Sequence, residues 1–427
     1  MCFGAFLKQK LAKQAKGHAH LSMLRRYIGA RRHLLLDNGH QPSIRGCHQL
    51  DQSLVRMSQP IRVKDKVLQK VFRHDHSFVS LRMPLNASVE DVMAAMKIPA
   101  RDHILVKVKS SGVREQLKMD ARATSSFLGL NERIFLCTAD QADKLTPLQE
   151  QLGPDMNTIY ALENMSSKII AAQLTSYDWE LFNAMHETEL LYYVLGKKKF
   201  PNSPTANLER FIQRFNEVAY WVATELCLCA DQAKRARLLK KFITIATILY
   251  SHHNMNSFTA VMYGLTNSAV SRLHKTWKKV PNKMKKRFRR YEHMLDPFSN
   301  HEAMRQVVAK LSPPYIPYLP LILKDLTFIH EGNKSYRNGL VNFEKMSMIA
   351  KNLRTVKDCR NQPYLPISPQ NNLMDKMFLK SPLKQKLTFS DQSLSVEGAQ
   401  IICLYIRNLK VIDDQRKLSQ LSRNIEP

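Results

Sequence analysis

Residues 208–226, LERFIQRFNEVAYWVATEL, decide the fold. Leu208, Phe211, Ile212, Phe215, Val218, Ala219, Val222 and Leu226 recur at i, i+3, i+4 and i+7 without a break, the stripe of a helix with one buried face. Leu238, Leu239, Phe242, Ile243, Ala246 and Leu249 repeat the pattern further on, so helix packs on helix. Working outward, the chain reads as helical from Pro154 almost to its end. Ser299 with Glu302 predicts a capping box ahead of Met304, Val307, Val308 and Leu311. Residues 313–320, PPYIPYLP, predict a stiff, extended connector, because closely spaced prolines prevent regular helix. Beyond it two helices are expected, at 321–331 and 338–356, joined by a turn at Gly332 and Asn333. Residues 363–391, rich in Pro, Ser, Gln and Lys, read as a surface excursion, and its Ser368-Pro369 and Ser381-Pro382 dipeptides read first as turns. Ile401, Leu404, Tyr405, Leu409, Ile412, Leu418 and Leu421 restore the helical period. Both ends of the helical region are therefore expected to close one core.

Upstream, the period changes from 3.6 to 2. Residues 67–72 and 77–83 read as two strands around a His74-Asp75 turn, with Val79, Leu81 and Met83 on one face. Ser88 starts a short helix, with Asp91 as its acidic capping partner. Residues 104–109 alternate again, Gly112 marks a turn, and 133–138 close with a final strand. Strands, a helix and more strands in this order describe a small α+β ubiquitin-like roll. The fold class expected is thus multidomain: a basic, weakly ordered segment at 1–62, the roll at 63–140, a linker at 141–165 and a mainly α-helical domain at 166–427.

Composition bounds the function. A chain of 427 residues with 44% hydrophobic and 24% charged residues is globular and has room for two to three domains. It shows no apolar run long enough to span a membrane and no secretory signal pattern. Its 7 cysteines are odd in number and lack C-x-x-C spacing, which argues for a reduced, intracellular setting and against structural zinc. His18, His20, His33, His40 and His48 are too irregularly spaced for a metal site. No metal and no cofactor are expected. The formal charge of +29, from 65 basic and 36 acidic residues, draws the protein toward polyanions. The first 76 residues hold 15 Lys/Arg against 4 Asp, and 275–290 hold nine Lys/Arg and no acid. The second run suits an anionic membrane surface or nuclear import, and equally a solvated connector. A cytoplasmic protein with membrane recruitment or a nuclear pool fits these runs. Basic strands interleaved with aromatics, zinc signatures and helix-turn-helix patterns are all missing, so no specific nucleic-acid partner is expected.

Four segments of the helical region carry a resemblance to the catalytic domain of Ras-family guanine nucleotide exchange factors, from about residue 166 to the end. The first is Ala172-Gln173-Leu174-Thr175 with Asp178-Trp179-Glu180-Leu181-Phe182 and Glu189-Leu190. The second is Arg214-Phe215-Asn216 with Trp221-Val222-Ala223-Thr224-Glu225. The third runs from Gly264 to Leu273 (GLTNSAVSRL) and is followed by Thr276-Trp277. The fourth runs from Lys324 to Asn333 (KDLTFIHEGN), with Leu340-Val341-Asn342-Phe343 after it. The closing residues, from Leu409-Lys410-Val411-Ile412-Asp413-Asp414-Gln415-Arg416 to Glu426-Pro427, resemble the last helix of the Epac-like exchange factors, which act on Rap GTPases. The roll is similar, more loosely, to a Ras-association domain.

The resemblance implies an exchange catalyst without covalent chemistry, acting on GDP-bound or nucleotide-free Rap-type GTPase through a helical hairpin at 321–356. It implies that Glu331 approaches the phosphate-binding loop, with Thr327 on the same helical face, where Ras-directed members have Leu. It implies that Asn267, with Arg272 and Leu273 beside it, docks the mobile second switch, and that Tyr318, Asp325, Phe328 and Asn333 add contacts. Pro320 stands where Gly is usual and His330 where Glu is common, so the hairpin's take-off angle is expected to differ. In the roll, Lys70, Arg73 and Arg82 would meet the acidic switch region of a GTP-loaded Ras-family GTPase, with the strand at 77–83 extending its sheet. Residues 1–62 do not resemble the helical module that usually braces the hairpin, so exchange is expected to be weak or braced from elsewhere. No cyclic-nucleotide domain precedes the roll, so direct control by cyclic AMP is not expected. The rival reading is a non-catalytic scaffold that binds GTP-loaded GTPase through the roll.

Overall fold

A computed structural model of the chain describes residues 60–62, 64–99, 102–126, 128–147, 151, 153–154, 162–163, 165–196, 200, 205–364 and 402–427. The expectations for the N-terminal segment, its histidines and most of the 363–391 excursion lie outside the described residues.

The roll forms as its alternating pattern requires. Strands β1 (Lys66–Phe72), β2 (Phe78–Pro84), β3 (Ile104–Val108), β4 (Arg114–Gln116) and β5 (Arg133–Cys137) make one sheet in the order β2-β1-β5-β3-β4. The β1–β5 pair at its centre is parallel and the other pairs are antiparallel. Helix α1 (Val89–Ala95) starts at the expected capping box: Asp91 N donates to Ser88 Oγ at 3.0 Å and Ser88 N to Asp91 Oδ2 at 2.8 Å. Its Val89, Val92 and Met93 pack against Val71, Leu105 and Ile134 of the sheet. Strand β2 forms one edge of the sheet.

The helical region comprises α2 (Ser167–Ala184), α3 (Glu187–Leu195), α4 (Ala206–Leu228), α5 (Gln232–Ser251), α6 (Met255–Thr266), α7 (Ser268–Ser271), α8 (His274–Lys279), α9 (Asn282–Met294), α10 (Phe298–Val308), α11 (Leu319–Gly332), α12 (Phe343–Asp358) and α13 (Gln415–Ile425). The quoted stripe lies on α4, whose Phe211, Val218, Trp221, Val222 and Leu226 are buried. One apolar core joins α2, α4, α5 and α6 to residues of the C-terminal segment, among them Ile406, Ile412 and Leu418. A second core lies under α11 and α12, where Leu319, Leu323, Leu326, Ile349, Leu353 and Val356 meet Leu190, Leu191 and Val194 of α3. Both ends of the helical region close the fold, as the periodicity requires. No described helix is long and apolar enough to cross a membrane.

Three local expectations are corrected. Ser299 is not a cap: Ser299, Asn300 and His301 have φ of 48°, 59° and 60°, whereas a capping box needs an extended cap followed by helical residues. The turn instead opens at Asp296, whose Oδ1 accepts from Phe298 N at 2.9 Å. The two hairpin helices are not joined by a short turn at Gly332 and Asn333. Gly332 ends α11, and a small ribbon of β6 (Tyr336–Arg337) and β7 (Leu340–Val341) follows before α12 begins at Phe343. The reversal falls at Asn338-Gly339, with φ of 51° and 78°, the two left-handed residues that a type I′ hairpin demands. Pro320 lies in the first turn of α11, where a missing N–H costs no hydrogen bond. Finally, the closing segment is two helical pieces, 402–407 and α13, separated by an extended stretch.

Helices α4 and α6 approach so closely that a Cβ on Gly264 would lie 2.4 Å from Ala219 O and 2.6 Å from Val222 Cβ. A backbone oxygen cannot rotate away. Helix propensity favours Ala over Gly by about 1 kcal/mol, but overpacking costs about 1–3 kcal/mol or more. Gly264→Ala should therefore destabilise the protein by about 2 kcal/mol in urea unfolding, where propensity alone predicts a gain.

Candidate functional site

The candidate site is built on α11, the ribbon β6–β7 and α12. Its base is fixed on two sides. The Leu319, Leu323 and Leu326 face of α11 is sealed in the second core. The opposite flank is held by Asp325, which receives a two-pronged bond from Arg305 of α10 at 2.7 and 2.8 Å. At its C-terminal end α11 leaves carbonyls without helical partners, as every helix does. Lys345 of α12, 2% exposed, reaches across with its ammonium and donates to His330 O at 2.8 Å, Asn333 O at 2.7 Å and Ser335 Oγ at 3.1 Å. A cation there also suits the negative end of the helix dipole. Asn342 caps α12 by accepting from Lys345 N at 3.2 Å and donates to Lys334 O at 2.9 Å. The two helices are thus tied by hydrogen bonds on top of their apolar contact.

The tip has the opposite character. Phe328, Leu340 and Phe343 are 60%, 75% and 70% exposed, so large apolar side chains face solvent on a rigid support. Glu331 is exposed beside them and has no hydrogen bond or ion pair among the described residues. Thr327, one turn earlier, is half-buried and donates its hydroxyl back to Leu323 O at 2.8 Å. Asn333 closes the helix by donating from Nδ2 to Ile329 O at 3.1 Å.

The second group of expected residues surrounds α7. Asn267 caps this short helix, its Oδ1 accepting from Ala269 N at 2.9 Å. Its side chain also exchanges two hydrogen bonds with Gln415 of α13, 2.9 Å from Nδ2 to Oε1 and 3.1 Å from Gln415 Nε2 to Oδ1. Arg272 donates to the carbonyls of Ser422 at 2.8 Å and Glu426 at 2.7 Å, which pins the chain's last turn. Leu273, expected at the docking surface, is 1% exposed and therefore belongs to the interior. Tyr318 links the two groups. Its ring packs on Phe215 at 5.4 Å, and burial together with the neighbouring Tyr263 hydroxyl pushes its own hydroxyl pKa up. Tyr263 lies 45% exposed on α6, one turn before Asn267.

Lys345, Tyr263 and Gln415 carry no role in the sequence reading. Lys345 alone had a signal: it stands four residues before Ile349, on the apolar side of α12, where a lysine must find acceptors. In the roll, Lys70, Arg73 and Arg82 are all exposed. Lys70 lies opposite Ser80 and Leu68 opposite Arg82, so Leu68, Lys70, Ser80 and Arg82 share the outer face of the β1–β2 ribbon. Lys70 Nζ sits 4.5 Å above the Phe78 ring. Among the described residues no group of three or more His, Cys, Asp or Glu side chains is arranged to hold a metal.

Comparison with known proteins bears on the same segments. The RasGEF domain family matches residues 169–347, which include α7, the ribbon and the whole of α11. Rap guanine nucleotide exchange factor 3 of Rattus norvegicus is 45% identical over 98% of this chain and 47% of its own length. Rap guanine nucleotide exchange factor-like 1 of Pongo pygmaeus is 38% identical over 90% of this chain and 81% of its own length. Rap guanine nucleotide exchange factor 5 of Homo sapiens is 37% identical over 85% of this chain and 58% of its own length. The chain spans about half the length of the exchange factor 3 relatives it matches. By sequence and by architecture, the chain belongs to the Rap guanine nucleotide exchange factor family, with a RasGEF domain at its centre.

Proposed function

We propose that this protein promotes GDP release and GTP loading on a Rap-type small GTPase by inserting the α11–α12 hairpin beside the nucleotide. The observation that carries this reading is the contrast within the hairpin, a base locked by Lys345 and Asp325 under a tip of exposed Phe328, Leu340 and Phe343. A nucleotide held at picomolar affinity represents about 16 kcal/mol. An exchange catalyst makes no covalent bond and can offset that only by binding the nucleotide-free GTPase better than the loaded one. A floppy wedge would lose much of this difference as ordering entropy; the clamped hairpin does not. The apolar tip gains its burial only when a partner covers it. In this reading Glu331 competes for the cationic and hydroxyl groups that hold phosphate and magnesium, with Thr327 filling space one turn away. Asn267, Tyr318 and Tyr263 form the docking face for the second switch, while Arg272 and Leu273 support it from behind.

The roll is proposed as a Ras-association domain for a GTP-loaded Ras-family GTPase. Its edge strand β2 and the outward Lys70 and Arg82 support that reading. An anionic membrane surface is proposed for α8–α9. Met284, Phe288 and Tyr291 turn α9 inward, while Lys283, Lys286 and Arg290 are exposed at i, i+3 and i+7 on its outer face.

Two measurements test these readings. Purified protein should accelerate release of a fluorescent GDP analogue from Rap in excess GTP, and Glu331→Ala should lower kcat/KM by roughly 10- to 100-fold, the worth of one or two hydrogen bonds to a charged group. No acceleration, with binding of GTP-loaded GTPase to the roll, would favour the scaffold. Vesicles with ~30% phosphatidylserine should sediment the protein, and Lys283→Glu, Lys286→Glu and Arg290→Glu together should abolish this, at about 1 kcal/mol per charge removed. Equal sedimentation of the triple variant would sink the membrane assignment.

A further inference from the structure

Five consecutive residues near the C-terminus touch three separate parts of the molecule. Val411 and Ile412 are buried in the helical core, and Ile412 N donates to Thr224 Oγ1 of α4 at 2.9 Å. Asp413 turns the other way, to the roll. Its Oδ2 accepts from Ser110 Oγ at 2.8 Å and its Oδ1 from Asn131 Nδ2 at 2.8 Å. Asn131 Nδ2 also reaches Val411 O at 3.2 Å, and Gln151 Oε1 accepts from the backbone N–H groups of Asp413 and Asp414 at 2.9 and 3.2 Å. Asp414 then caps α13, its Oδ1 accepting from Arg416 N at 2.8 Å. Gln415, the first residue of α13, makes the paired amide contact with Asn267 and donates to Ser268 Oγ at 3.1 Å.

The chain between roll and docking loop has almost no slack. Only Asp414 separates Asp413 from Gln415, and two residue steps of backbone reach at most about 7 Å even when extended. A displacement of Asp413 therefore passes to Gln415 rather than being absorbed. The far end of α13 is held independently, by Ser422 Oγ on Ala269 O at 2.5 Å and by Glu426, whose carboxylate accepts from Arg235 Nη2 at 3.1 Å and from Thr276 N at 2.9 Å. Freeing Asp413 would loosen only the N-terminal turn of α13, the one that faces Asn267.

We propose that Asp413 is a positioning residue for the exchange site: by holding Ser110 and Asn131 it sets the register of Gln415 against Asn267, so that the seating of the roll controls how the docking loop is presented. The inference rests on the exchange function proposed above. It makes the roll a structural partner of the docking face, through a contact on neither GTPase-binding surface. Coupling of this kind is reciprocal: whatever orders Asn267 also strengthens the seating of the roll.

The test uses the full chain and two independent readouts. In hydrogen–deuterium exchange, Asp413→Ala should speed amide exchange in residues 267–271 by roughly tenfold, although residue 413 lies far away in sequence. Asp413→Asn should restore most of the protection, because an amide can still accept from Asn131 and donate to Ser110. The pair Ser110→Ala with Asn131→Gly removes the same bonds from the roll's side and should reproduce the Asp413→Ala result; glycine suits the φ of 51° at position 131. In GDP release, Asp413→Ala should raise KM for Rap by about five- to tenfold with kcat nearly kept, and should cause no further loss in an Asn267→Ala background. Unchanged protection at 267–271 in both kinds of variant, or an equal loss in both backgrounds, would overturn the proposal. If the wild-type chain releases no GDP, the exchange reading falls, and the protection measurement still judges the coupling.

Discussion

Burial of α4 is the constraint on which the helical region depends. Trp221 at its middle is fully buried, edge-on to Phe242 at 5.0 Å, and its indole N–H must find a partner where water cannot reach. Tyr405 supplies it: Trp221 Nε1 donates to the Tyr405 hydroxyl at 2.6 Å, and that hydroxyl donates to Glu225 Oε1 at 2.6 Å. Burial pushes the Glu225 carboxyl up to about 7, against the hydrogen bonds that lower it. Thr224, next in line, is satisfied by Ile412. The Trp221 indole, the Thr224 hydroxyl and one oxygen of the Glu225 carboxyl are thus answered by residues beyond position 400. The C-terminal segment cannot be a dispensable tail, because its removal would leave an indole, a threonine hydroxyl and a carboxyl buried without partners.

A second consequence is the division between the two cores. The first, around α4, holds α7 and the loop at Asn267; the second, under α11, holds the hairpin. They meet at Val308 and Leu311, which pack against both, while the Phe215, Tyr263 and Tyr318 rings pack on one another at 5.4–5.7 Å beside the first. Interiors at close-packed density transmit displacement rather than absorbing it. The distance between Asn267 and Glu331 is therefore a property of packed cores and not of loops. The proposed exchange, which would grip one part of a GTPase and displace another, requires such a fixed spacing, since a yielding link would let the nucleotide pocket close again.

Legibility in the sequence followed the physics. The α4 stripe and the alternating strands were readable because each repeats a period over several turns or residues, and periodicity reports burial directly. The α1 capping box was readable because its donors and acceptors are three residues apart. The β6–β7 ribbon was not, because Leu340, Val341 and Phe343 continue an apolar pattern that reads as helix, although Asn338-Gly339 is a strong reversal signal. Lys345 escaped because lysine on a helix is ordinarily solvated, and only its place on the apolar side of α12 betrays it. The partners of Asn267 and Asp413 had no local signal at all: Gln415 lies 148 residues from Asn267, and Asn131 lies 282 residues from Asp413. Such pairings are decided by how whole elements pack.

The same long-range pairings explain why the exposed residues are few and grouped. Most polar side chains near α7 and α11 are committed to internal bonds: Arg272 to the C-terminal carbonyls, Asp325 to Arg305, Lys345 to the end of α11. A surface residue that makes no internal bond is free to bind, and one that makes several is free only to hold. By that rule Glu331, Phe328, Leu340 and Phe343 are available to a partner, while Arg272 and Asp325 maintain the frame. Asn267 stands between the two classes. Its amide is half-buried and engaged with Gln415 and Ala269 N, so in the proposed function its readiness to bind would follow how firmly α13 is seated.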